Sequence, residues 1–116
     1  MTLDRELRGD IHVLSPRKNL QGGDETRELQ QAVQEIVADG VPKIVMDLGK
    51  ISYMTSVGLG TLVGAYTSCS KRNGWLRVAR IGNRIKDLLL VTKLTLVFDS
   101  YDTVEEALEG VHKEGA

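Results

Sequence analysis

The hydrophobic pattern changes period repeatedly along the chain, and each change marks an element. LDRELRG alternates apolar and charged residues, the pattern of a short edge strand with one wet face. Gly9-Asp10 reads as a tight turn, and IHVLS follows as a second strand that Pro16 ends. QGGD is a loop. The period then lengthens: Leu29, Val33, Ile36 and Val37 fall at i, i+4, i+7 and i+8, one face of a helix. Asp24 or Gly23 caps it, the acids Asp24 and Glu25 lie at its positive end, and it runs to about Asp39. Gly40 stops it and Pro42 prevents its restart.

KIVMDL is apolar at consecutive positions, which predicts a central strand covered on both faces. GKISYMT is a loop. A second helix is expected from about Ser56 to Arg72, with Leu59, Leu62, Val63 and Tyr66 as its buried stripe and Asn73-Gly74 as its end. WLRVAR is the next strand, turning Trp75, Arg77 and Ala79 one way and Leu76, Val78 and Arg80 the other. Asn83 can cap a short helix, RIKDLLLVT, with Ile85, Leu88 and Leu89 inward. LVFDSY is the last strand. Thr103 caps a final helix, VEEALEGV, with Glu106 at capping-box spacing. The order β-β-α-β-α-β-α-β-α makes the fold class α/β: one domain over residues 1–112, a mixed sheet of four to five strands with about four helices, and a frayed tail over residues 113–116.

Composition narrows what such a domain does. The 116 residues suit one domain with a real core, and the net charge of −1 favours neither nucleic acid nor an anionic membrane. Only 4% of residues are aromatic, so base stacking has few platforms. A single cysteine, Cys69, excludes an intrachain disulfide and suits a reducing compartment, so a cytoplasmic location is expected. MTLDRELRGD lacks the apolar core of a signal peptide, and no apolar run is long enough to span a membrane.

His12 and His112 belong to no metal or nucleophile motif, Cys69 has no CxxC partner, and Ser56 is not in GxSxG, so no catalytic residue, cofactor or metal ligand is named and a non-enzyme is expected. Asp24, Glu25, Glu28 and Glu35 read as a solvated helix face. Gly58, Gly60 and Gly64 give GxGxxxG at a helix start. A dinucleotide loop, however, needs its first glycine directly after a strand and an acid about 20 residues on, and neither is present. Each helical glycine costs about 1 kcal/mol relative to alanine, a cost tolerated where backbone passes close to a strand, a loop or a partner. The hydroxyls of Thr55 and Ser56 sit where a side chain caps a helix, and the same N–H groups also stabilise an anion.

KIVMDLGKISYMTSVGLGTLV resembles the core motif of the STAS family, the domain of anti-sigma factor antagonists: a buried strand, an acid, a loop, and a hydroxyl-glycine helix start. GWLRVARIGNRIKDLLLVTKLTLVFDSYDTVEEAL resembles the family's closing portion, so the likeness covers nearly the whole chain. The resemblance implies a bacterial partner-switching protein. Such a protein binds an anti-sigma factor that is also a serine kinase of the histidine-kinase-like ATPase superfamily. The kinase phosphorylates it and so releases it, and a PP2C-type phosphatase restores it. Matched onto this chain, the acceptor is Ser56, with Thr55 as second choice, and the docking residues are Asn19, Leu20, Gln21, Gly22, Gly23, Met54, Thr55, Ser56, Val57 and Gly58. Met54 and Val57 are expected to form an apolar patch flanking the hydroxyl. Two positions depart from the family: Thr55 stands where aspartate is common, and Gln21 where the preceding loop carries an acid. Alternatives are a STAS scaffold subunit of a transport or sensory complex, used without phosphorylation, and a small nucleotide-binding module. A weak homodimer is also kept open.

Overall fold

A computed structural model describes residues 1–113. The elements are β1 (Leu3–Arg8), β2 (Ile11–Pro16), α1 (Asp24–Val37), β3 (Lys43–Asp47), α2 (Ser56–Lys71), β4 (Trp75–Ala79), α3 (Asn83–Val91), a 3-10 turn (Leu94–Leu96), β5 (Ser100–Tyr101) and α4 (Val104–Glu109). One five-stranded sheet runs in the order β1-β2-β3-β4-β5. β1 and β2 form an antiparallel hairpin whose turn uses Gly9 at φ +64°, and the remaining pairs are parallel. The crossover helices impose that parallel arrangement. β3 lies in the middle, paired to β2 through Ile44–His12 and to β4 through Ile44–Leu76, as its unbroken apolar run requires.

The sheet is covered on both faces. Leu14, Ile44, Met46, Leu76 and Val78 join α1, α2 and α3 in the larger core, where Leu29, Val33, Ile36, Leu62, Ile85 and Leu89 are buried. Val13, Val45, Ala79 and Tyr101 face the other way and meet Ala107 of α4. Each fully buried leucine or isoleucine contributes about 1.5–3 kcal/mol through burial, so the larger layer dominates stability. In β4 Trp75, Arg77 and Ala79 lie on the α4 side and Leu76 and Val78 on the other, as the sequence predicts, and Arg77 stacks on Trp75 at 3.7 Å and donates to the Ala107 carbonyl. Arg80, expected on the face of Leu76 and Val78, instead lies just past the strand at φ +60° and turns to Asp47 on the opposite face.

Several expectations are corrected. The segment LVFDSY is strand only at Ser100–Tyr101. Lys93 at φ +63° ends the preceding helix, the chain makes a 3-10 turn, and Phe98 packs edge-on against Tyr66 of α2 at 5.5 Å. That contact draws the segment onto the helix layer before it can run beside β4. The buried seam of α2 consists mainly of small residues, Gly58, Thr61, Ala65 and Cys69 around Leu62, while Leu59, Val63 and Tyr66 are only partly buried. Gly82, not Asn83, precedes α3, which has no side-chain cap. Thr103 does cap α4, accepting from the Glu106 amide at 3.1 Å. The acids of α1 are not a plain solvated face: Glu28 accepts from the Thr2 amide and hydroxyl, and Glu35 pairs with Arg5 at 2.9 Å. Of the expected frayed tail, Lys113 pairs with Glu109 at 2.8 Å, and residues 114–116 lie outside the described residues.

Candidate functional site

Two loops leave the carboxyl ends of β2 and β3, the end at which open α/β sheets place their sites. They are stitched together. Asn19 Oδ1 accepts from the amides of Ser52 (2.9 Å) and Tyr53 (3.2 Å). Leu20 and Met54 form a one-residue parallel bridge, and the Thr55 amide donates to the Leu20 carbonyl at 2.9 Å. Gly58 explains itself here. A Cβ at this position would stand 2.4 Å from the Leu20 carbonyl oxygen, so only glycine lets α2 start against the loop. Gly60 and Gly64 have open space around them and line a groove of about 450 Å³ between α1 and α2, with Val57 at one end.

The first loop is held from below by α1. Glu25 accepts from the Gln21 amide (2.7 Å), the Gly23 amide (3.0 Å) and the Thr26 hydroxyl (2.9 Å), while Thr26 Oγ1 accepts from the Gly22 amide. The Gln21 amide does most to stabilise the charged carboxylate, and with the others it draws the Glu25 pKa down from 4.5 to about 2. The second loop is anchored at its root by Asp47. This buried carboxylate accepts from the Gly49 amide (3.0 Å), the Ser15 hydroxyl (3.3 Å) and the Arg80 guanidinium (3.1 Å). Arg80 takes φ +60°, a costly backbone for a residue with a Cβ, and its guanidinium lies where a Cβ on Gly49 would be. Arg84 at the start of α3 rides over the Tyr53 ring at 4.6 Å.

On this frame the two hydroxyls separate. Thr55 is the N-cap: its Oγ1 accepts from the Gly58 amide at 3.4 Å, its carbonyl takes the Leu59 amide, and it is half-buried. Ser56 is the first helical residue and is exposed. The first-turn amides of α2 have no intrahelical acceptors, and that turn holds no acid, so an anion at Ser56 would meet favourable dipoles.

The expected docking residues divide in the same way. Gln21, Gly22, Ser56 and Val57 are exposed, Val57 at 57%, and Gly22 (φ +91°) lies against Val57. Asn19, Gly23 and Thr55 are partly covered and act mainly within the loops. Leu20 and Met54 are buried in the core at 0% and 1% exposure, and Gly58 is also buried. The expected apolar patch therefore consists of Val57 without Met54. Leu20 and Met54 face inward because the bridge between them makes them the loops' own hydrophobic lock. Sequence reasoning missed Asp47, Arg80 and Glu25. The signal for Asp47 was present, as an acid closing an otherwise apolar central strand.

Among the described residues no His, Cys, Asp and Glu group could hold a metal, and no helix is long and apolar enough to cross a membrane. Cys69 is buried, which pushes its thiol up to about 11. β3 ends at Asp47 and α2 begins at Ser56, so the glycines do not follow a strand directly as a dinucleotide loop requires.

The STAS domain family model matches residues 4–107. A protein assigned as an anti-sigma factor antagonist in Thermotoga neapolitana is 28% identical over 102 residues, covering 88% of this chain and 90% of its own. The crystal structure of an assigned anti-sigma factor antagonist from Thermotoga maritima superposes with TM-score 0.86 at 25% identity, covering 94% of this chain and 93% of that one. An anti-sigma factor antagonist from Mycobacterium paratuberculosis gives TM-score 0.78 at 30% identity, over 95% and 92% of the two chains.

Proposed function

The chain belongs to the STAS domain family, and from that premise we propose that it is an anti-sigma factor antagonist. It binds an anti-sigma factor that is also a serine kinase of the histidine-kinase-like ATPase type, and phosphorylation of Ser56 releases it. A PP2C-type phosphatase resets it. The protein is a binding module and substrate of these partners, with no chemistry of its own and no cofactor, working in the cytoplasm.

The observation that carries this reading is the division of labour at the start of α2. Thr55 performs the capping, so the exposed Ser56 hydroxyl is free for modification without cost to the helix. A phosphate there adds about −1.5 to −2 charges at a helix N-terminus, which the fold tolerates. A partner that had desolvated the neutral hydroxyl beside Val57 and Gly22 would instead have to bury a dianion, at a penalty of several kcal/mol. The same geometry favours Ser56 over Thr55, whose hydroxyl is engaged with the Gly58 amide.

Incubation with the cognate kinase and ATP, followed by tandem mass spectrometry, is expected to place phosphate on Ser56. Phosphate on Thr55 instead would overturn the assignment. A protein left unmodified would favour the scaffold role in a transport or sensory complex.

A further inference from the structure

The seam between the two site loops is narrow, and one side chain carries part of it. Leu20 and Met54 form a bridge of a single residue pair, and the Leu20 carbonyl also accepts from the Thr55 amide at 2.9 Å. Just before it, Asn19 Oδ1 accepts from two successive amides, Ser52 at 2.9 Å and Tyr53 at 3.2 Å, which lie 33 and 34 positions further along the chain. The Asn19 side chain thus supplies a rung that main-chain pairing does not. An amide oxygen has two lone pairs and can accept both bonds. Among the described residues its Nδ2 donates to no protein acceptor. Tyr53 is followed at once by Met54, Thr55 and Ser56, so the rung fixes how the chain enters the first turn of α2. The first loop does not need it. Gln21, Gly22 and Gly23 are held from α1 by Glu25 and Thr26.

We propose that Asn19 is a positioning residue for Ser56. It acts through Oδ1 on the loop that leads to Ser56, and not by touching the partner. The inference rests on the reading of Ser56 as the phosphate acceptor. Phosphoryl transfer requires the Ser56 hydroxyl oxygen to meet the γ-phosphorus of ATP in line, and catalysis of this kind is almost entirely positioning and charge stabilisation. A displacement of about 1 Å can cost about a hundredfold in rate. Without the rung, the second loop can shift against the first. The exposed docking residues Gln21 and Gly22 stay in place, because α1 holds them independently. The body of α2 also stays, because Leu62, Ala65 and Cys69 are buried in the core. The expected signature is therefore a fall in kcat for phosphorylation with little change in KM. A contact role would instead use the free Nδ2 donor, and its loss would raise KM. Asn19→Asp separates the two roles, since aspartate keeps the acceptor oxygen and lacks the donor.

The test combines steady-state phosphorylation by the cognate kinase and ATP with amide hydrogen exchange, for the parent, Asn19→Ala and Asn19→Asp proteins. All assays run well below the lowest melting temperature of the three. Asn19→Ala is expected to exchange its Ser52 and Tyr53 amides about tenfold faster than the parent. Its kcat should fall about tenfold, with KM within about threefold of the parent. Asn19→Asp should restore both the protection and the kcat. If the alanine variant does not give a native amide spectrum, Asn19→Ser takes its place, with a hydroxyl too short to reach both amides. Parent-like kcat in Asn19→Ala overturns the proposal. So does a raised KM in Asn19→Ala that Asn19→Asp shares while its Ser52 and Tyr53 amides stay protected, the result of a direct contact through Nδ2. A parent that takes no phosphate at Ser56 overturns the reading of that serine, and this role with it.

Discussion

Thr55 and Ser56 are adjacent hydroxyls with opposite duties. The cap hydrogen bond belongs to Thr55, and removing a cap oxygen costs typically about 1 kcal/mol. Thr55→Ala is therefore expected to destabilise the protein by about 1 kcal/mol, with Thr55→Ser keeping most of that stability. Ser56→Ala, at an exposed first-turn position, should stay within about 0.5 kcal/mol of the parent. Urea denaturation of the three variants checks this, and an equal loss at Ser56 would show that the capping assignment is wrong. The sequence alone placed both hydroxyls at a helix start but did not divide them. Helix boundaries drift by a residue or two in pattern reading, and one residue is the whole difference between cap and spare hydroxyl.

At the scale of elements, the site is a pair of loops made rigid by residues outside it. Glu25 of α1 holds the first loop through backbone amides, and the sign of its pH effect follows from its lowered pKa. The folded carboxyl titrates at about 2 against an ordinary 4.5, so its contribution is full above pH 4.5 and is lost as pH falls through about 2. The Gln21 and Gly23 amide resonances should move together with a midpoint near pH 2 and lose that transition in Glu25→Gln. A midpoint at 4.5 would mean that the carboxylate is not held as described. Periodicity showed α1 and placed Glu25 at its positive end, but it could not show that a first-turn acid reaches back to a loop. Likewise Asn19, Leu20 and Met54 were legible as neighbours of the site. Their inward role depends on two segments more than 30 residues apart meeting in a parallel bridge, and no local pattern records that. The short β5 was misread for a related reason, since the Phe98–Tyr66 contact overrides the strand propensity of LVFDSY.

The whole molecule is a sheet covered on both faces, with its candidate site confined to one end. The order of elements along the chain, the parallel crossovers and the central place of β3 followed from alternation of short apolar runs with helical periods. The exposure of Leu96 did not follow, because the pattern makes it the first residue of a strand and it lies instead in the 3-10 turn. Because Ser56 is exposed and free of structural duty, a change of charge there should alter association and leave the fold intact. The most direct measurement is a calorimetric titration of the parent, Ser56→Ala and Ser56→Asp proteins into the cognate anti-sigma kinase. Ser56→Ala is expected to bind like the unphosphorylated parent, and Ser56→Asp to bind at least about tenfold more weakly with an unchanged melting temperature. Equal affinity of the two variants would contradict the account.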